Sequence, residues 1–174
     1  ANFSDTSGHP FAPEITALHA FGAVEGYADG SFGADAEINR AEFLKILMLV
    51  AFGEEEMTVS DVQCFIDFRG DELWFWQHAC LAKEREIVHG YPNGAFQGSD
   101  TVNLAEALKM TTLALGIALP QYIGAPAHWY EPYLDAAAGF GIFQMIPLDP
   151  SRSVTRGRNH SLYNGSEEKM IVGE

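Results

Sequence analysis

The sequence has only two cysteines, Cys64 and Cys80, and only 10 lysines and arginines against 24 acidic residues. Two cysteines are too few for a disulfide-rich scaffold, and the six histidines lack the spacing that would complete a zinc site. The net charge of −14 would repel nucleic acid at long range, so we exclude nucleic acid as a partner. No apolar run approaches the roughly 18 residues of a membrane-spanning helix, so we expect no membrane span.

Motifs of catalytic sites are also missing. The sequence has no Gly-x-Ser-x-Gly elbow, no His-Glu-x-x-His helix and no phosphate-binding glycine-rich loop. The stretch that begins at Asp29 has the outline of a calcium loop, but its twelfth position is Arg40, where a bidentate glutamate is required. We therefore predict a protein that is not an enzyme and that uses neither a cofactor nor a metal.

An internal repeat is the strongest signal in the sequence. Residues 22–32 align with residues 86–96, so that the two Gly-Tyr pairs lie 64 positions apart (90 − 26 = 64). The short motifs Phe3-Ser4-Asp5 and Ile38-Asn39-Arg40-Ala41-Glu42 recur as Phe65-Ile66-Asp67 and Val102-Asn103-Leu104-Ala105-Glu106. A fainter third copy, at residues 128–130, 141–143 and 154–157, lacks the Gly-Tyr loop. We place the three units at residues 1–53, 61–119 and 126–174, packed into one body.

Each unit predicts a helix, a turn-rich loop and a second helix. Pro13 suits the first turn of a helix over roughly 13–21, and Asp29-Gly30 is a strong turn dipeptide. Asn39 can cap the second helix with Glu42 as its capping-box partner, and Asn103 and Glu106 repeat this arrangement. The body of that helix, residues 43–50, is apolar nearly all round, which indicates burial on most sides.

These motifs resemble the bacterial S-layer homology family over roughly residues 3–158. The family pattern runs Phe-x-Asp, His-Trp, Gly-Ile-x-x-Gly-Tyr-x-Asp-Gly-x-Phe and Ile-Thr-Arg-Ala-Glu. The resemblance implies a mainly α fold, in which three helix–loop–helix repeats form a pseudo-threefold spindle with a three-helix bundle and projecting prongs. It implies a secreted cell-surface module, and the chain's start at Ala1, without a leader, agrees with this expectation.

The function that the resemblance implies is anchoring without catalysis. The partner would be a secondary cell-wall polysaccharide or a peptidoglycan-linked polymer, often pyruvylated, bound in grooves between the prongs. The competing hypothesis is a structural subunit that self-associates in a surface layer or filament. Two departures from the family pattern, Leu104 in place of arginine and Arg158 in place of glutamate, predict that at least one groove is altered or lost.

The resemblance implies that Arg40 and Arg156 bind the ligand. Both follow the predicted caps, where a cation opposes the helix dipole, and a guanidinium beside unpaired helix amides could hold a carboxylate such as a pyruvate ketal. The alternative is that each arginine pairs with an acidic residue of the neighbouring repeat. We expect Arg40 to be the main contact, and the groove centred on repeat two to be weak because Leu104 brings no charge.

Further ligand-binding candidates are the neighbours of these arginines and residues of the loops: Asn39, Thr155, Trp129, Tyr27 and Asp29. For Asp29 the alternative is a solvated loop carboxylate. For Trp74 and Trp129 we expect core positions, since tryptophan at a repeat junction is more often buried, with Trp129 the better candidate for exposure.

Cys64 and Cys80 lie before and within the first helix of repeat two. We predict that they form a disulfide, because an oxidising compartment would keep such a bond closed. Two buried thiols are the alternative.

Overall fold

The computed structural model describes residues 3–54, 59, 63–69, 74–139 and 149–157. These residues contain five helices, namely α1 (Ala12–Phe21), α2 (Arg40–Phe52), α3 (Trp76–Glu84), α4 (Leu104–Ala114) and α5 (Glu131–Gly139). Within the same ranges the β pairing consists of three isolated bridges. The prediction of a mainly α protein is confirmed.

The two long second helices, α2 and α4, begin with the same predicted capping box. The Asn39 side chain accepts a hydrogen bond from the Glu42 amide at 2.8 Å, and the Glu42 carboxylate accepts one from the Asn39 amide at 3.2 Å. Asn103 and Glu106 repeat both bonds at 2.9 and 3.2 Å. Two amides of each helix start are thereby satisfied locally.

Three extended segments, one from each predicted repeat, meet before these helix starts and exchange backbone hydrogen bonds in a cycle. The Ile38 amide donates to the Val154 carbonyl at 3.0 Å, Val154 donates to Val102 at 2.9 Å, and Val102 donates to Ile38 at 3.3 Å. The bonds that follow run around the cycle in the opposite sense: the amides of Arg40, Leu104 and Arg156 donate to the carbonyls of Asp100, Arg152 and Ala36. The starts of α2 and α4 therefore each pair with a loop segment of another repeat.

The loops that carry the Gly-Tyr motif are closed by the Phe-x-Asp motif. The Asp5 carboxylate accepts hydrogen bonds from the amides of Phe32 and Gly33 at 2.7 and 2.6 Å, and these bonds lower the pKa of Asp5. Asp67 accepts the equivalent bonds from Phe96 and Gln97. Because the side chains of Phe32 and Phe96 are fully buried, each loop is held against the core at its end.

In the core, α2 packs against α3 and α4, and α4 packs against α5. The bundle of three second helices and the spindle shape stay predictions, as do the boundaries of the three units. The third repeat's motif at residues 141–143 and its helix from Arg158 onward lie outside the described residues.

A disulfide joins Cys64 to Cys80 in α3, with their Cα atoms 5.5 Å apart, which confirms the predicted pairing. None of the described helices has the length and apolar character to cross a bilayer.

Candidate ligand-binding grooves

Two grooves of the same construction lie where the repeats meet. The first groove has a cavity of about 170 Å³ and is lined by residues 22–25, Glu42, Lys45, Ile46, Trp74 and Arg156. The second groove has a cavity of about 170 Å³ and is lined by residues 87–91, Arg40, Glu106, Lys109, Met110 and Trp129. In each groove one repeat supplies the loop and a helix face, another supplies a tryptophan, and the remaining one supplies an arginine.

Arg40 lies deep in the second groove, with its side chain 10% exposed. Its guanidinium carbon is 5.2 Å from the ring centroids of both Tyr91 and Phe96. Its Nη1 atom is 3.8 Å from Glu106 Oε1, which also accepts a hydrogen bond from the Tyr91 hydroxyl at 3.1 Å. Burial raises the pKa of Tyr91, so this hydroxyl keeps its proton.

Arg156 takes the same position in the first groove. Its guanidinium carbon lies 4.9 Å from the Tyr27 ring centroid and 4.8 Å from that of Phe32. Its Nη1 atom is 3.8 Å from Glu42 Oε1, and its Nη2 atom donates to the Glu25 carbonyl at 3.1 Å. The alternative pairing of each arginine with an acidic residue of another repeat is therefore present in the structure.

Each arginine nevertheless has a buried donor that is unpaired. The Nε atoms of Arg40 and Arg156 are buried and have no hydrogen-bond partner among the described residues. Leaving a buried donor unpaired costs about 1–3 kcal/mol, and more for a charged group. Glu42 and Glu106 cannot easily supply the missing acceptor, since each already accepts a capping-box bond through its other oxygen. An added carboxylate could accept from the unpaired Nε.

Both groove tryptophans are exposed, Trp74 by 57% and Trp129 by 53%. The expectation of core positions was wrong, because each indole lies at the edge of a groove between repeats. Lys45 Nζ is 5.5 Å from the Trp74 ring centroid, and Lys109 Nζ is 5.7 Å from that of Trp129. The sequence reasoning missed these lysines, although Lys45 interrupts an otherwise apolar helix and Lys109 repeats its position.

The other predicted site residues have partners within the protein. The Asn39 side chain caps α2, and Thr155 forms an isolated bridge with Glu37. Asp29 Oδ1 accepts hydrogen bonds from the Ser31 hydroxyl and amide at 2.6 and 2.9 Å, which lowers the pKa of Asp29. Tyr27 contributes its ring to the Arg156 environment. The structure thus brings Arg156 together with Tyr27, and Arg40 with Trp129, while the ligand roles of all these residues stay predictions.

The prediction that Leu104 weakens the groove centred on repeat two assigned this residue to the wrong groove. We expected its missing charge to weaken the groove centred on repeat two, but Arg40 of repeat one lines that groove. The Leu104 amide donates to the Arg152 carbonyl, so position 104 faces the third repeat. The reason is the cycle of backbone hydrogen bonds, which places the starts of α2 and α4 against loop segments of other repeats.

Residues 2–44 and 71–108 match the family model of the S-layer homology domain. The chain carries S-layer homology repeats. The third, degenerate repeat lies outside these two matches and stays a prediction.

The S-layer homology repeats also relate the chain to surface proteins of several bacteria. The chain is 35% identical over 103 residues, 59% of its length, to a surface layer protein of Brevibacillus choshinensis, of which it covers 9%. It is 30% identical over 144 residues, 82% of its length, to the middle cell wall protein of Brevibacillus brevis, of which it covers 13%. A cell surface protein of Thermoanaerobacter kivui is 25% identical over 150 residues, 85% of the chain, and the chain covers 19% of it. The chain thus spans a small part of each relative, and these matches place it among secreted cell-surface proteins.

Proposed function

We propose that this S-layer homology module attaches a surface protein to the cell envelope by binding a wall polymer that carries carboxylate groups. The observation that carries the proposal is the unpaired, buried Nε of Arg40 and of Arg156, two side chains that line equivalent grooves. No catalytic step is part of this function.

The chemistry of the grooves favours an acidic sugar unit. A guanidinium offers a planar pair of donors that matches a carboxylate, and two aromatic rings lie within 5.2 Å of the Arg40 guanidinium carbon. An exposed tryptophan at the edge of each groove provides an apolar face on which a sugar ring can pack. A pyruvate ketal on a pyranose ring combines the two features in one ligand.

The charge of the chain does not argue against an anionic polymer. Although the net charge is −14, salt screens distant charges over about 8 Å at physiological ionic strength. Within the second groove, Arg40 and Lys109 face the single carboxylate of Glu106. The first groove has Glu25 as a further acidic residue beside Arg156 and Lys45, which favours Arg40 as the stronger anion site.

The test is co-sedimentation with purified cell-wall sacculi, before and after acid removal of ketal-linked pyruvate. We take each pair of hydrogen bonds between a guanidinium and a ligand carboxylate to contribute about 1.5–3 kcal/mol. Arg40→Ala and Arg156→Ala should then each weaken binding to their groove by about tenfold to a hundredfold. Arg40→Lys should recover only part of the loss, since an ammonium cannot supply two coplanar donors.

Arg152→Ala is the matched control, because Arg152 is exposed and does not line either groove. Folded arginine variants that bind sacculi as tightly as the parent, but unfold more easily, would show that both arginines are structural ion-pair partners. If the parent protein does not bind sacculi and self-associates in sedimentation velocity, the result would support the hypothesis of a surface-layer subunit instead.

A further inference from the structure

The first groove continues into a larger cavity between the end of α1, the outer face of α2 and the start of α3. This side pocket has a volume of about 520 Å³ and shares Lys45 and Trp74 with the first groove. Its own polar residues are Glu54, Gln77 and His78. The volume lies within the roughly 300–1,000 Å³ that is typical of small-molecule sites.

The deepest polar group of the side pocket is His78. The residue is 8% exposed, and its Nδ1 atom is buried without a hydrogen-bond partner among the described residues. Burial, with a smaller contribution from the charge of Lys45, lowers the pKa of His78 to about 4. The imidazole is therefore neutral at pH 7, and a neutral imidazole has one donor and one acceptor nitrogen.

The polar character of the side pocket is not a requirement of the repeat. Counting from the paired tryptophans, the positions of Gln77 and His78 correspond to Pro132 and Tyr133 beside the second groove. The position of Glu54 corresponds to Ala118, at the same offset as the Gly-Tyr pairs. Of the two grooves that the described residues form, the first thus combines a buried imidazole, an amide and a carboxylate at these positions, and the second does not.

We propose that the side pocket is a second saccharide subsite, which takes an uncharged, hydroxyl-bearing sugar unit next to the acidic unit at Arg156. This inference rests on the proposed function and extends it, since the first groove then binds two consecutive units of the polymer and the second groove binds one. An anionic sugar unit is disfavoured in the side pocket, because Glu25 and Glu54 outnumber Lys45 in its wall. Sugar hydroxyls, which both donate and accept, suit the mixture of carboxylate, amide and neutral imidazole.

The exposed indole of Trp74 connects the two cavities, since it lines both. One sugar ring packed on this indole can direct its carboxylate toward Arg156 and its glycosidic neighbour toward His78. A hydroxyl that reaches Nδ1 would satisfy a group that otherwise stays buried and unpaired.

The test is an NMR titration of the full chain with two probes. One is a methyl hexopyranoside that carries a pyruvate ketal, and the other is the disaccharide in which an uncharged hexopyranose follows the pyruvylated unit. The indole N–H signals of Trp74 and Trp129 report the first and second groove separately. We expect the disaccharide to bind about tenfold more tightly than the monosaccharide at Trp74, and equally tightly at Trp129.

Two variants remove the side-pocket groups by different routes. Glu54→Ala with Gln77→Ala changes exposed side chains only, and His78→Tyr introduces the residue found at position 133. In both variants the disaccharide should bind no more tightly than the monosaccharide at Trp74, while the affinity for the monosaccharide stays that of the parent. Tyr133→Phe should leave both affinities unchanged. The subsite is refuted if the monosaccharide binds but the second unit adds nothing, or if the gain survives in both variants. If the indole N–H signals of Trp74 and Trp129 do not shift with either probe, the proposed function is refuted as well.

Discussion

Reduction of the disulfide between Cys64 and Cys80 should lower the thermal stability of the module substantially. The bond spans a sequence separation of 16 residues. In the chain-entropy model a loop of about 15 residues corresponds to about 3 kcal/mol. Since 1 kcal/mol shifts the Tm of a domain of this size by about 2–4 °C, we expect reduction to lower the Tm by about 6–12 °C.

Calorimetry of the reduced and oxidised forms measures this difference. Cys80 is fully buried, so the protein must be unfolded in denaturant with reductant and then refolded. Oxidised protein taken through the same cycle without reductant is the control, and thiol titration confirms the state of each sample. Equal Tm values for the two forms would refute the assumption that the bond constrains the unfolded chain. Two titratable thiols in unreduced protein would refute the bond itself.

Two further predictions concern the capping boxes and His78. Asn39→Ala should destabilise the protein by about 1 kcal/mol in urea unfolding, while Asn39→Asp, which keeps the acceptor, should stay close to the parent; equal losses in both would contradict a capping role. The pKa of His78 is lowered from 6.5 to about 4 in the folded state, so the unfolded chain binds the extra proton and stability should fall as the pH falls from about 6.5 to about 4. His78→Tyr should show a shallower pH dependence over that window, and an unchanged slope would contradict the assignment.

The parts of the fold that depend on local chemistry could be predicted from the sequence. The caps at Asn39 and Asn103 and the start of α1 near Pro13 follow from signals within a few residues of each helix end. The disulfide could be predicted because Cys64 and Cys80 lie close in sequence, on either side of one helix start.

The composition of the grooves could not be predicted in the same way. Arg40 and Arg156 were identified from their position in the repeat, but their placement against other repeats depends on the cyclic backbone bonds through Ile38, Val102 and Val154. Those bonds join residues far apart in sequence, and no local pattern specifies which segment donates to which. The same limit explains the wrong expectation for Trp74, whose exposure depends on how a neighbouring repeat packs beside it.

The unpaired Nε groups of Arg40 and Arg156 allow the most direct test of carboxylate binding. Their N–H signals can be assigned in ¹H–¹⁵N spectra with the help of the two alanine variants. On addition of a methyl hexopyranoside that carries a pyruvate ketal, both signals should move downfield in a saturable manner, as expected for a donor that gains a charged acceptor. The same sugar without its ketal should leave both signals in place. Saturable binding of the pyruvylated sugar with both Nε signals unmoved would contradict the account, because the ligand would then lie elsewhere on the module.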